Sequence, residues 1–350
     1  MEAAAPPGLG FEPRGCTTAM AILPHRDPGA ALDLAFSLDV PFWPQLPNVG
    51  FSEDTYVQTV LRFPGVKADH VEQTLRFDED LFAEGLPEYL ERCEDPGFFA
   101  VRPDDSLTYG DFLRRLEEGE GQWPAVRGQF MGPISLCLKI TDADRKPVIY
   151  RDEVRELLIR HVAAKVNRHL VDLREAHPRA FVWVDEPGLE ILFTGITGYS
   201  AERARADLDL FTSLLEGPRG VHLCGNPDWD FLLRSRIDLL SFNAYGTAEV
   251  MEGYWEGIKA MLERGGVIAW GMVPTNFADA EKEDAASLLG KLLGLWERLE
   301  GHGVDPGLLF SRSMVAPATC CLVNPDLTAT VERSFRTVRL LAGELRDRLG

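Results

Sequence analysis

Two residues in the stretch GVHLCGN (220–226), His222 and Cys224, could do chemistry together. They stand two positions apart at the end of a short apolar run, and alternate side chains of an extended strand share a face. An imidazole and a thiol so placed are either half-buried packing residues at a strand end or two ligands for a borderline-soft metal ion. Cys320 offers a third donor if the fold brings it to the same place. One imidazole and two thiolates leave the fourth position of a tetrahedral zinc open, the mark of a catalytic site. No C-x₂-C pair of the structural kind occurs in the chain. An open, thiolate-rich zinc binds an incoming thiol, lowers its pKa and holds it as a nucleophile near neutral pH.

Those three residues can meet only if their strands end at one face. The chain alternates as that requires. Strands are expected at 17–23, 125–131, 179–187, 220–226, 237–246, 266–275 and 308–322, from their apolar and β-branched runs. Between them lie helical stretches. One opens with Asp27 as N-cap and Pro28 at the first helical position. Another spans 151–176, with Val154, Leu157, Leu158, Val162, Val166 and Leu170 on one stripe. Further helices are expected near 200–216, through DWDFLLRS, through Ile258 and Leu262, across 281–300, and from Asp326 to Arg348. Strand–helix alternation of this kind makes an α/β protein with parallel βαβ units, here a (β/α)₈ TIM barrel. Residues 47–124 fit least and are expected to hold an irregular insertion in the first third. Residues 1–15 are expected to form a flexible leader and 16–350 a single barrel domain.

In such a barrel the chemistry gathers at the C-terminal ends of the strands. Asp185 and Glu186 end one strand, His222 and Cys224 the next, Asn243 and Tyr245 the one after, Trp270 the next, and Cys320 and Cys321 the last. The adjacent carboxylates Asp185 and Glu186, followed by a proline, point to substrate contact. His25 either caps the helix from Pro28 or faces the pocket. Tyr245 and Trp270 either pack the barrel top or line the site with Asn243. Cys16, Cys93 and Cys137 have no partner spacing and are assigned to packing. Gly128, Gln129, Gly132 and Pro133 make a tight turn after a strand.

Composition bounds the partners. The 350 residues are 45% hydrophobic and 26% charged, as in a globular protein, and carry a formal charge of −19. That charge argues against nucleic acid or anionic lipid as the main partner. No apolar run approaches the roughly 20 residues needed to span a bilayer. The opening MEAAAPPGLGFEPRG places Pro and Gly where an export signal carries its apolar stretch. Reduced thiols and a cytoplasmic location are therefore expected.

Taken together, VDEPGL, the H-x-C at 222–224 and the cysteine turn after Pro317 resemble cobalamin-independent methionine synthase. The phrases LPHRDP, PFWPQLP, CGNPDW and GVIAWGMVPT resemble a short, single-barrel branch of the methionine synthase/uroporphyrinogen decarboxylase-like superfamily. The resemblance implies a zinc-dependent methyltransferase acting on a small thiol, with zinc on His222, Cys224 and Cys320 and with Asp185 or Glu186 near the substrate's amino group. Three departures stand out. Asn243 occupies the place where the family commonly has a glutamate on the metal, and Ile22 follows Ala21 where it has Gly-Ser. Its Ser-Cys-Gly is TCCL here, with Cys321 in the glycine position. Full-length members use two barrels to bind polyglutamyl folate, so a single barrel points to a corrinoid protein as methyl donor, with methyl-folate as the alternative. The other half of the superfamily implies a metal-free decarboxylase, which wants pocket arginines. Only Arg26 near the mouth and Arg127 at the head of a strand offer them. A barrel that has lost catalysis is the third reading, from Asn243 and Ile22.

Overall fold

A computed structural model describes residues 8–119, 121–192 and 197–350. The first seven residues of the expected leader lie outside the described residues. Nine strands are labelled in chain order: β1 (Cys16–Thr17), β2 (Val66–Asp69), β3 (Thr74–Phe77), β4 (Val126–Met131), β5 (Ala180–Asp185), β6 (Arg219–Leu223), β7 (Leu239–Phe242), β8 (Val267–Val273) and β9 (Ser313–Pro317). Seven of them form one curled parallel sheet in the order β1-β9-β8-β7-β6-β5-β4. The chain is thus an α/β protein with a TIM-barrel-like architecture.

Residues 40–46 bridge the gap between β1 and β4. Val40 N donates to Thr17 O and Gln45 N to Ala21 O, at 2.9 and 2.7 Å. On the other edge Arg127 N donates to Pro41 O at 3.0 Å and Trp43 N to Arg127 O at 3.3 Å. Pro41 and Pro44 lack an N–H, so the segment pairs at intervals and makes no continuous ladder.

Inside the ring, Met20, Val40, Phe181, Trp183, Leu239, Val267, Ala269 and Met314 form a buried cluster, with Leu9 packed against them. Outside it, the alternate strand residues pack against the helices in a larger apolar layer. The helix Pro28–Phe36 follows β1, with Asp27 Oδ1 accepting from Ala30 N at 3.1 Å. The long helix Asp152–Ala176 lies against β4 and β5. Residues 47–124 hold the antiparallel β2–β3 hairpin and the helices Thr55–Val60, Glu79–Arg92 and Tyr109–Glu118. Several stretches differ from the sequence expectation: β1 is only Cys16–Thr17 where a strand over 17–23 is expected, and residues 244–246 open a helix where a strand to 246 is expected. Residues 308–311 belong to the helix Pro306–Ser311, because Asp305 caps it through Gly307 N and Leu308 N. The helical stretch after β7 is two helices, Ala244–Glu252 and Trp255–Glu263, parted at Gly253.

Candidate functional site

The register of the sheet sets Asp185 beside His222 and His222 beside Ser241. All three side chains are buried and face the barrel interior at its C-terminal end. Two residues on, Cys224 keeps the phase of His222, and His222 Nε2 lies 3.2 Å from Cys224 Sγ. On the other side of the ring, His222 Nδ1 is 2.8 Å from Ser241 Oγ. The imidazole stacks on Trp183, with centroids 5.8 Å apart and planes inclined by 28°. Burial, helped by the charge of Arg127, pushes its pKa down to about 3, so the ring is neutral at physiological pH. In the tautomer that gives Nδ1–H to Ser241, Nε2 turns a lone pair toward Cys224.

Cys320 enters from the turn after β9. Asn48 Nδ2 donates to Leu322 O at 2.9 Å and to Pro24 O at 3.1 Å, tying that turn to the one after β1. The thiols of Cys224 and Cys320 act on each other. Interaction with Cys224 holds the Cys320 thiol below its ordinary pKa. Interaction with Cys320, then burial, pushes Cys224 up. Imidazole, thiol and thiol thus form a row with Cys224 in the middle. Among the described residues, no three His, Cys, Asp or Glu side chains stand grouped so as to hold a metal ion as they lie. In kind, the donors of the row suit zinc: one neutral imidazole nitrogen and two sulfurs.

The two adjacent carboxylates part company. Glu186 is fully buried and caps the helix Pro133–Lys139, accepting from Ile134 N at 3.0 Å, Ser135 N at 2.8 Å and Ser135 Oγ at 2.6 Å. Gly132 makes room for it, since a Cβ there would lie 2.2 Å from the carboxylate carbon. Asp185 stays in the barrel. Its Oδ2 accepts from Gln129 Nε2 at 2.7 Å, while Oδ1 is buried without a partner among the described residues. Burial first, then the charge of Cys320, raises its pKa well above the carboxylate range.

The other candidate residues make their side-chain bonds outside the row. Asn243 Oδ1 caps the helix Ala244–Glu252 through Gly246 N at 2.9 Å. Tyr245 donates to Glu283 Oε1 at 2.9 Å and lines a groove of about 580 Å³ with Met272, Lys291 and Arg298. Trp270 is in phase with Ile268 and Met272 on the helix-facing side of β8, and its Nε1 donates to Ser313 Oγ at 2.7 Å. His25 is buried against the helix Ala329–Leu349, with Nε2 3.4 Å from Glu332 Oε1.

Sequence reasoning missed several residues near the row. Ser241 and Gln129 lie inward on β7 and β4, where a polar residue on the barrel face of a buried strand is itself a signal; Gly128 and Gln129 belong to β4 and not to the turn expected of them. Glu190 accepts from Asn226 N at 3.2 Å, and its carboxylate rests on Gly225, where a Cβ would lie 2.1 Å from Oε2. Its charge reaches Cys224. Tyr56, from the irregular segment, feels the charges of Glu186, Asp54, Asp185 and Cys224. No periodicity in 47–124 marks it.

With this geometry in view, the chain can be set beside known proteins. No family model matches it, and no curated protein matches it. A methyltransferase from Methanosarcina mazei superposes with a TM-score of 0.51 at 13% identity, over 96% of this chain and 94% of that one. A B12-independent methionine synthase from Shewanella sp. W3-18-1 aligns at 17% identity with a TM-score of 0.43, over 68% of this chain and 67% of that one. The likeness to the first is one of fold. Among the described residues, no helix is long and apolar enough to cross a membrane.

Proposed function

We propose that this protein is a methyltransferase that passes a methyl group to a small thiol, with zinc held by His222, Cys224 and Cys320. The observation that carries the reading is the contact of the His222 imidazole with the Cys224 thiol at the C-terminal end of the barrel, with Cys320 acting on that thiol. In this reading, His222, Cys224 and Cys320 would hold the zinc through one imidazole nitrogen and two sulfurs. When bound it supplies a Lewis-acid position at which a thiol loses its proton near neutral pH.

The chain's own groups prepare that site. Burial keeps His222 neutral and therefore able to ligate. Ser241 fixes which nitrogen faces the sulfurs. Interaction with Cys224 lowers the pKa of Cys320, which favours its thiolate. Asn243 is committed to a helix cap, so no charged fourth ligand competes with the incoming thiol. Asp185 presents Oδ1 to the substrate's amino group, and a cation arriving there favours the ionised carboxylate. Glu186 acts indirectly, by fixing the end of β5, which carries Asp185, to the helix Pro133–Lys139. The donor is a methyl–corrinoid protein or methyl-folate, either of which offers an electrophilic methyl group to the thiolate.

The experiment supplies methylcobalamin or methyl-folate with a panel of thiols. A competent thiol should be methylated by the wild-type protein and not by His222→Ala. If no thiol draws a methyl group from either donor, the reading falls.

A further inference from the structure

The side-chain oxygen of Gln129 collects three donors. Trp183 Nε1 lies 2.8 Å away, Ala21 N 2.9 Å and Arg127 Nη1 3.2 Å. Three N–H groups on one oxygen fix the amide, because the flipped amide would set its own N–H groups against them. Nε2 therefore has one direction to point, toward Asp185 Oδ2 at 2.7 Å. Gln129, Arg127, Trp183 and Asp185 are all buried, where a hydrogen bond to a carboxylate is strong. The result is an asymmetric carboxylate, with one oxygen tied and the other unpartnered among the described residues.

The same amide does two further things. It anchors Trp183, whose ring backs His222 at 5.8 Å. It also stands between a guanidinium and a carboxyl group. Arg127 lies over Trp183, 3.5 Å from the ring centroid, with Nε on Thr18 Oγ1 at 3.1 Å. Without the spacer, the guanidinium could pair with Asp185 directly and occupy the oxygen that is now free.

We propose that Gln129 is the positioning residue of the site, holding Asp185 so that Oδ1 alone is offered to a cationic group of the ligand. The proposal rests on the reading of Asp185 as the contact for the substrate's amino group. It selects thiols that carry an ammonium group over thiols of the same size that carry a hydroxyl.

Two variants test it. Gln129→Glu keeps an acceptor for Ala21, Trp183 and Arg127 but replaces the donor to Asp185 with a second acceptor. Gln129→Met removes both. Binding of cysteamine and of 2-mercaptoethanol is followed on the indole ¹⁵N–¹H resonance of Trp183, assigned with Trp183→Phe. The wild type should bind cysteamine about tenfold more tightly than 2-mercaptoethanol. Gln129→Glu should keep the melting temperature and the indole resonance yet lose that preference. Gln129→Met should lose the preference and shift the indole resonance as well. An equal preference in wild type and Gln129→Glu would overturn the proposal, as would no preference in the wild type. Because the readout is binding, it stands apart from methyl transfer, whose failure would sink the reaction and leave this result readable.

Discussion

His222 and Ser241 face each other across the β6–β7 ladder, with Nδ1 2.8 Å from Oγ. The contact orients a neutral imidazole whose other nitrogen meets Cys224. Outer partners of this kind typically govern metal affinity by about 10- to 100-fold. Ser241→Ala should therefore weaken zinc binding by about that factor while leaving the fold intact, measured by competition with a chromophoric chelator. Unchanged affinity would mean that Ser241 does not set the ring.

Glu186 predicts a pH effect on stability. Burial raises its pKa from 4.5 to about 7, against the pull of the bonds from Ser135 and Ile134. Between those values the folded carboxyl keeps a proton that the unfolded chain has lost. Its contribution is thus full below about 4.5 and fades as pH climbs to about 7, a swing of about 3 kcal/mol. Denaturant unfolding across that window should show the slope in the wild type. The slope should shrink in Glu186→Gln.

Lys165 predicts the opposite slope in a higher window. It is buried in the helix Asp152–Ala176, with Nζ 5.9 Å from the Phe130 ring. Burial, then the charge of Arg62, lowers its pKa from 10.5 to about 7. Between those values the unfolded chain binds a proton that the folded chain has given up, so stability rises with pH. Lys165→Met should melt higher than wild type at pH 7, and the two should converge toward pH 10.5. Equal melting temperatures at pH 7 would contradict the burial cost.

Gly128 is a packing prediction. A Cβ there would lie 2.0 Å from His169 Nε2, on a buried ring held by Tyr109 OH at 3.2 Å. Gly128→Ala must displace that ring and should cost about 3 kcal/mol. Coupling measured in a double-mutant cycle with His169→Ala should recover part of the loss.

How much of this could be read from the residues depends on the residue. The run AFVWVD and the Asp27–Pro28 start announce a strand and a helix by local chemistry, and both form. Asp305–Pro306 is the same start signal, hidden by the apolar LLF that follows, so the helix there read as a strand. Residues 40–46 resist reading because two prolines interrupt the pattern, although their remaining N–H groups still bridge β1 and β4. At the site, alternation places His222 and Cys224 on one face. Strand phase turns Trp270 outward: Phe242 pairs with Trp270 and Ser241 with Ala269, and only the second pair faces inward. Gln129 becomes legible only once β4 is known to border β5, since its meaning lies in Asp185 and Trp183.

The central claim is that His222, Cys224 and Cys320 together hold one metal ion. Its most direct test is the zinc content of the protein purified without chelator, compared with Cys224→Ser and Cys320→Ser. The account predicts about one zinc per chain in the wild type and most of it lost from each variant. Wild-type protein that stays metal-free after dialysis against zinc, or full zinc in both variants, would contradict it.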